Sequence, residues 1–173
     1  MASHLGMYEN VVPLLAPIDL ATANPVQSNY LDLANANRAS FLVYFGVVTS
    51  ATAADTMLVQ LQCSTGTTSN ATEEFIDFKY RLSDTFAGGN TWGVATDGTS
   101  AGISLGASTV FDGFAILIDV DPAIVAAKMT DARYVRVVAT PQGDGAYTVI
   151  LGSIVGFIDP KYKQTTMQKV TVT

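Results

Sequence analysis

The stretch Phe114 to Ala139, FAILIDVDPAIVAAKMTDARYVRVVA, decides how this chain is read. It divides into one strand, a polar break at Asp119-Val120-Asp121-Pro122, a short helical turn and a second strand. From Tyr134 to Val138, Val135 and Val137 share one face while Tyr134 and Arg136 share the other, which is the period of a half-buried strand. The helical turn, Pro122 to Met129, is too brief for the crossover of a βαβ unit. The segment therefore predicts an all-β sandwich with one helical interruption.

Working outward, other segments carry the same signal. Ser40 to Thr49, SFLVYFGVVT, is a strand that is nearly continuous in its hydrophobicity, and Met57 to Ser64 follows it after a turn at Thr52 to Asp55. Tyr30 to Leu33 is a short strand ahead of an Asn-rich turn. Glu74 to Leu82 reads as one strand, with Ile76, Phe78, Tyr80 and Leu82 on one face and Asp77, Lys79 and Arg81 on the other. Trp92 to Ala95 and Ser100 to Leu105 are weaker strands, joined by an Asp97-Gly98 turn. After a turn in Pro141 to Gly145, Ala146 to Ile158 is the last and longest strand, with Tyr147, Val149, Leu151, Val155 and Phe157 on one face. Many short strands with Gly, Asn and Asp turns predict an antiparallel β-sandwich, jelly-roll-like in character.

The organisation predicted is an extended N-terminal arm over residues 1–28, a sandwich over 29–160 and a C-terminal tail over 161–173. Three prolines between Val11 and Pro25 mark the arm as extended chain lying across something, not a central strand. Lys161 to Thr173 is polar, mildly basic and without an apolar stripe.

Composition narrows the function. Of 173 residues 49% are hydrophobic and only 14% charged, with a formal net charge of −6. That balance speaks against nucleic-acid binding through the phosphate backbone, which needs Lys/Arg patches. Mean hydropathy of +0.31 with so few charges points to apolar surface covered by other subunits. No uninterrupted apolar run reaches the length of a membrane span, and Met1 to Asn10 lacks the basic start and apolar core of a signal peptide. The lone cysteine, Cys63, is in phase with Met57, Val59 and Leu61 and reads as a small buried hydrophobe in a protein made in a reducing cytoplasm.

Catalytic patterns are scarce. The single histidine, His4, sits near the N-terminus, so neither a Ser-His-Asp nor a Cys-His arrangement is legible, nor a zinc set, a P-loop or a dinucleotide fingerprint. Asp119 and Asp121 are spaced i, i+2, which on a strand points both to one side and would suit calcium or an acid/base pair. Asp121 directly before Pro122 reads more simply as a helix N-cap. No cofactor or metal is expected, and no catalytic residue is assigned. Trp92, near Asn90 and Asp97, is either a core or subunit contact or a sugar platform.

Three stretches resemble a known family: Tyr30 to Gly46 (YLDLANANRASFLVYFG), Phe78 to Leu82 followed by Asn90 to Gly93, and Ile118 to Asp121 with Tyr134 to Val137. Together they are similar to virion structural proteins of tailed bacteriophages, specifically small capsid decoration (cement) proteins. The helical turn here is longer than usual in that family, and the proline-rich arm is not a general family feature. The resemblance implies a non-enzymatic protein on the virion capsid surface, partnered by the major capsid protein and assembled with its own copies, a trimer first. The interface residues expected are Val11, Val12, Pro13, Leu14, Leu15 and Pro17 in the arm, Trp92, Tyr134 and Arg136 on the body, and Tyr162 in the tail. The alternative is a carbohydrate- or host-surface-binding module of a tail or fibre, using Trp92, Tyr80 and the loops Ser64 to Thr72 and Gly88 to Gly98.

Overall fold

Alternating apolar residues close two antiparallel sheets over one core in the computed structural model, which describes residues 10–22, 25–49, 56–83, 91–106, 112–143 and 149–161. The first sheet holds β1 (Asn10–Asp19), β12 (Val149–Pro160), β4 (Ala36–Thr49), β10 (Ala115–Val120), β7 (Phe78–Leu82) and β8 (Thr96–Gly98), neighbours in that order. The second runs β2 (Val26–Gln27), β11 (Tyr134–Gln142), β5 (Thr56–Ser64), β6 (Glu73–Ile76), with β3 (Leu31–Asp32) also on β11 and β9 (Ile103–Leu105) also on β5. Phe41, Val43 and Phe45 of β4 and Ile116 and Ile118 of β10 face inward against Met57, Val59, Leu61 and Cys63 of β5 and Val135 and Val137 of β11. The all-β sandwich is the fold. Cys63 is buried as its phase required, and burial pushes its thiol pKa up.

The segment Phe114 to Ala139 links the two sheets. β10 belongs to the first, β11 to the second, and α1 (Pro122–Lys128) spans the end between them with Val125 buried. Asp121 is its N-cap: the carboxylate Oδ1 accepts from the Ala123 N–H at 2.8 Å, and Pro122 opens the helix, where a missing N–H costs nothing.

Four expectations need correction. The arm is not separate from the body, because β1 pairs with β12 along an edge from Asn10↔Ile158 to Asp19↔Leu151. Val12, Leu14, Leu20 and Val26 are all core residues, so the boundary at 28/29 does not divide the structure. Prolines 13 and 17 are accommodated because β1 is an edge strand with register shifts between Pro13 and Ile18. Room for the side chains of β1 and of Leu20 just after it comes from β12: a Cβ on Gly156 would lie 2.7 Å from Leu14 Cδ1, and one on Gly152 would lie 2.5 Å from Leu20 Cδ1.

Glu74 to Leu82 is not one strand. It breaks at Asp77, leaving β6 on β5 in one sheet and β7 on β10 in the other. The expected inner face survives, since Ile76 and Phe78 are buried from opposite sides of the core. Asp77 marks the corner by accepting from the Ser100 N–H at 2.7 Å.

Asp97-Gly98 is not a turn but part of β8, where Gly98 lies under the Phe78 ring. The turn comes later, with Gly102 at φ +88° and its N–H donating to the Thr99 carbonyl. Finally, β11 runs past its expected end at Ala139 to take in Pro141 and Gln142, just short of the expected Gly143-Asp144-Gly145 turn. The β2 pairing ends at Ala139, and among the described residues no strand pairs with Pro141 on that side. Residues 162–173 of the tail, His4, and the turn at residues 52–55 lie outside the described residues.

Candidate functional site

Polar chemistry gathers on the outer face of the second sheet. Arg136 of β11 donates from Nε to Gln62 Oε1 on β5 at 2.8 Å and from an Nη to Glu73 Oε1 on β6 at 2.8 Å. Its guanidinium plane lies 4.5 Å from the centroid of the Tyr30 ring. The Tyr30 hydroxyl also donates to Glu73, and its ring meets Tyr134 edge-on at 6.2 Å. Burial, and then the bond to Glu73, pushes the Tyr30 pKa up to about 12.

One step along, Arg133 grips Asp32 through two parallel bonds of 2.7 and 2.5 Å and lies 5.3 Å from the Tyr134 ring. Burial of Asp32 raises its pKa, but the bonds from Arg133 and the Ala34 N–H outweigh it and hold the carboxyl below its usual value. Tyr134 and Arg136, which the sequence placed on an outward face, are thus engaged within the chain. The Arg136 side chain is only 11% exposed, and two donated bonds and the stack on the Tyr30 ring clasp β5, β6 and the chain leading into β3.

A cleft of about 260 Å³ opens at the start of α1, lined by Arg38, Lys79, Asp119, Asp121 and Ile124 among others. Asp119 and Asp121 both reach it, as their spacing required. Asp119 accepts from the Ser40 hydroxyl at 2.9 Å, Asp121 caps α1, and Lys79 pairs with Asp97 at 2.5 Å. Among the described residues no group of three or more His, Cys, Asp or Glu side chains is placed to hold a metal ion. No helix among them is long and apolar enough to cross a membrane.

The other predicted interface residues divide. Val12 and Leu14 face the core, whereas Pro13 and Pro17 are exposed and Val11 and Leu15 half-buried. Trp92 sits beyond β7, bridged to Ser83 and 44% exposed, with Val94 at 84% nearby in the chain. Tyr162 lies outside the described residues.

Sequence reasoning did not single out the outer face of the first sheet. One row runs across it from Pro13 through Val155, Leu42 and Leu117 to Arg81, and the next from Val11 through Phe157, Ser40 and Asp119 to Lys79. From β1 to β4 both rows are without charge. The signal was present in two places: the nearly continuous apolar run of β4, and a β12 whose two alternating sets are both apolar.

No known protein-family model matches this chain, and no curated protein matches it.

Proposed function

We propose that this chain is a non-enzymatic structural protein of a tailed-bacteriophage virion, a decoration protein that binds the assembled head lattice. The observation that carries the reading is large apolar surface on a sandwich whose polar clusters are engaged internally. Trp92 and Val94 stand exposed where β7 gives way to β8, within the Trp-Gly stretch that resembles the decoration family. An exposed aromatic of this kind supplies much contact area at small entropic cost.

In this reading the major capsid protein is the partner and the outer capsid surface the location, with a trimer suited to local three-fold positions. Stabilisation follows mass action: a subunit that binds only the mature lattice contributes RT ln(1 + [L]/Kd) at each site. A rigid body keeps the ordering cost of binding low.

Cryo-electron microscopy of the particle that carries the chain tests this. Stoichiometric density on the outer head lattice is expected, with Trp92→Ala reducing occupancy while leaving the fold intact. A bare lattice would overturn it. The half-exposed Trp92 ring also favours a second reading, a carbohydrate-binding module, for which glycan binding lost in Trp92→Ala is the signature.

A further inference from the structure

We infer that the outer face of the β1–β12–β4–β10 sheet is an interface between copies of this chain. Its centre is the row Pro13, Val155, Leu42, Leu117, flanked on β12 by Phe157 and, beyond Ser153, by Leu151, which is 44% exposed. The inward alternates on β12, Ile150, Ile154 and Ile158, are buried. The apolar residues of the outer face are therefore surplus to the core of a single chain.

Size, composition and charge argue for a second copy as the occupant. Four strands at ~4.8 Å spacing and about eight residues at ~3.3 Å give a footprint of roughly 500 Å² before side-chain relief. Specific interfaces take ~600–1,000 Å² per partner, so this face, before side-chain relief, comes close to the lower end of that range, and apolar patches of several hundred Å² on soluble chains often mark interaction sites. Charge lies at the margins: Lys79, Arg81 and Asp119 on one side, the Arg38–Asp159 row at one end, and Asp19 opposite Leu151 at the other. An uncharged centre with a charged rim is the pattern of homo-oligomer interfaces. Each copy carries a net −6, so copies meet at least electrostatic cost where neither presents a charge.

The test is the solution mass of the full chain, by light scattering on a sizing column from about 1 to 100 µM. A multiple of 18.2 kDa is expected. Leu42→Glu with Val155→Glu should raise the dissociation constant roughly 100-fold or more, because it buries unpaired charge, with the far-ultraviolet circular dichroism unchanged. A monomeric wild type across the range, or a folded double variant of unchanged mass, overturns the inference. Should the double variant fail to fold, cysteine cross-linking decides. Val155→Cys treated with a short bismaleimide should give covalent dimers, and Gln27→Cys, exposed on the opposite sheet, should not. The native Cys63 is buried and does not compete. Cross-linking at position 27 but not at 155 overturns the inference. It stands or falls independently of lattice binding, which is read on the particle.

Discussion

Arg136 lies with its guanidinium 4.5 Å from the centre of the Tyr30 ring, while both residues bond the same Glu73 carboxylate. The arrangement joins three separate segments of chain through one cation. Two donors and the ring face are all satisfied, and the site is largely screened from water, so each contact is worth more than it would be on an open surface.

Removing the cation should therefore cost more than a surface charge would. Arg136→Ala leaves Gln62 Oε1 without its Arg donor and Glu73 with the Tyr30 hydroxyl but no cation, and is expected to lower stability by about 2 kcal/mol. Arg136→Lys keeps the charge but not the planar fork, and should recover only part of the loss. Urea unfolding of the three proteins checks the order; equal midpoints would mean that the cluster contributes nothing to stability.

The glycines of β12 make a steric prediction. Gly152→Ala and Gly156→Ala place a methyl group against Leu20 and Leu14, both 1% exposed, and each should cost ~1–3 kcal/mol through overpacking. Gly152→Ala should be the worse, since Leu20 Cγ also lies 3.0 Å from the added carbon. Gly106→Ala, with open space around its Cβ position, should be close to neutral in the same thermal melts.

At alkaline pH the Tyr30 hydroxyl should become a liability. Its folded pKa is raised to about 12 from 10.0, so between those values the folded state holds a proton that the unfolded state has released. Stability is then unaffected below pH 10 and falls as pH rises toward 12. Tyr30→Phe should remove this part of the decline. Absorbance titration of the seven tyrosines should show one ionising late.

Acid acts through Asp32 in the opposite sense. Its folded pKa is depressed, so the Arg133 pair contributes fully above the unfolded value of about 4 and is lost as pH falls through the folded one. Stability measured from pH 6 to 2 should fall less steeply in Asp32→Asn than in the native chain, from a lower starting point.

Much of the architecture was written in local pattern. The phase of Met57, Val59, Leu61 and Cys63, and the Asp121-Pro122 cap, are period and capping effects that act within a few residues of chain, so they read correctly without tertiary context. Asp77 did not read correctly, because alternation continues unbroken through a corner: Ile76 and Phe78 both point inward although they belong to opposite sheets. The proline-bearing strand β1 reads in sequence as a separate arm for a related reason. Its place depends on holes at Gly152 and Gly156, more than 130 residues away.

The outward residues show the same division. That Tyr134 and Arg136 share a face follows from the two-residue period of a strand, whatever surrounds them. That this face meets Tyr30, Gln62 and Glu73 rather than solvent follows only from which strands lie beside β11. Likewise, the sequence alone makes β4 and β12 apolar on both faces, but only the sheet order β1–β12–β4–β10 sets their outer residues side by side in an uncharged row. Periodicity is a property of neighbours along the chain, and partnership is a property of neighbours in space.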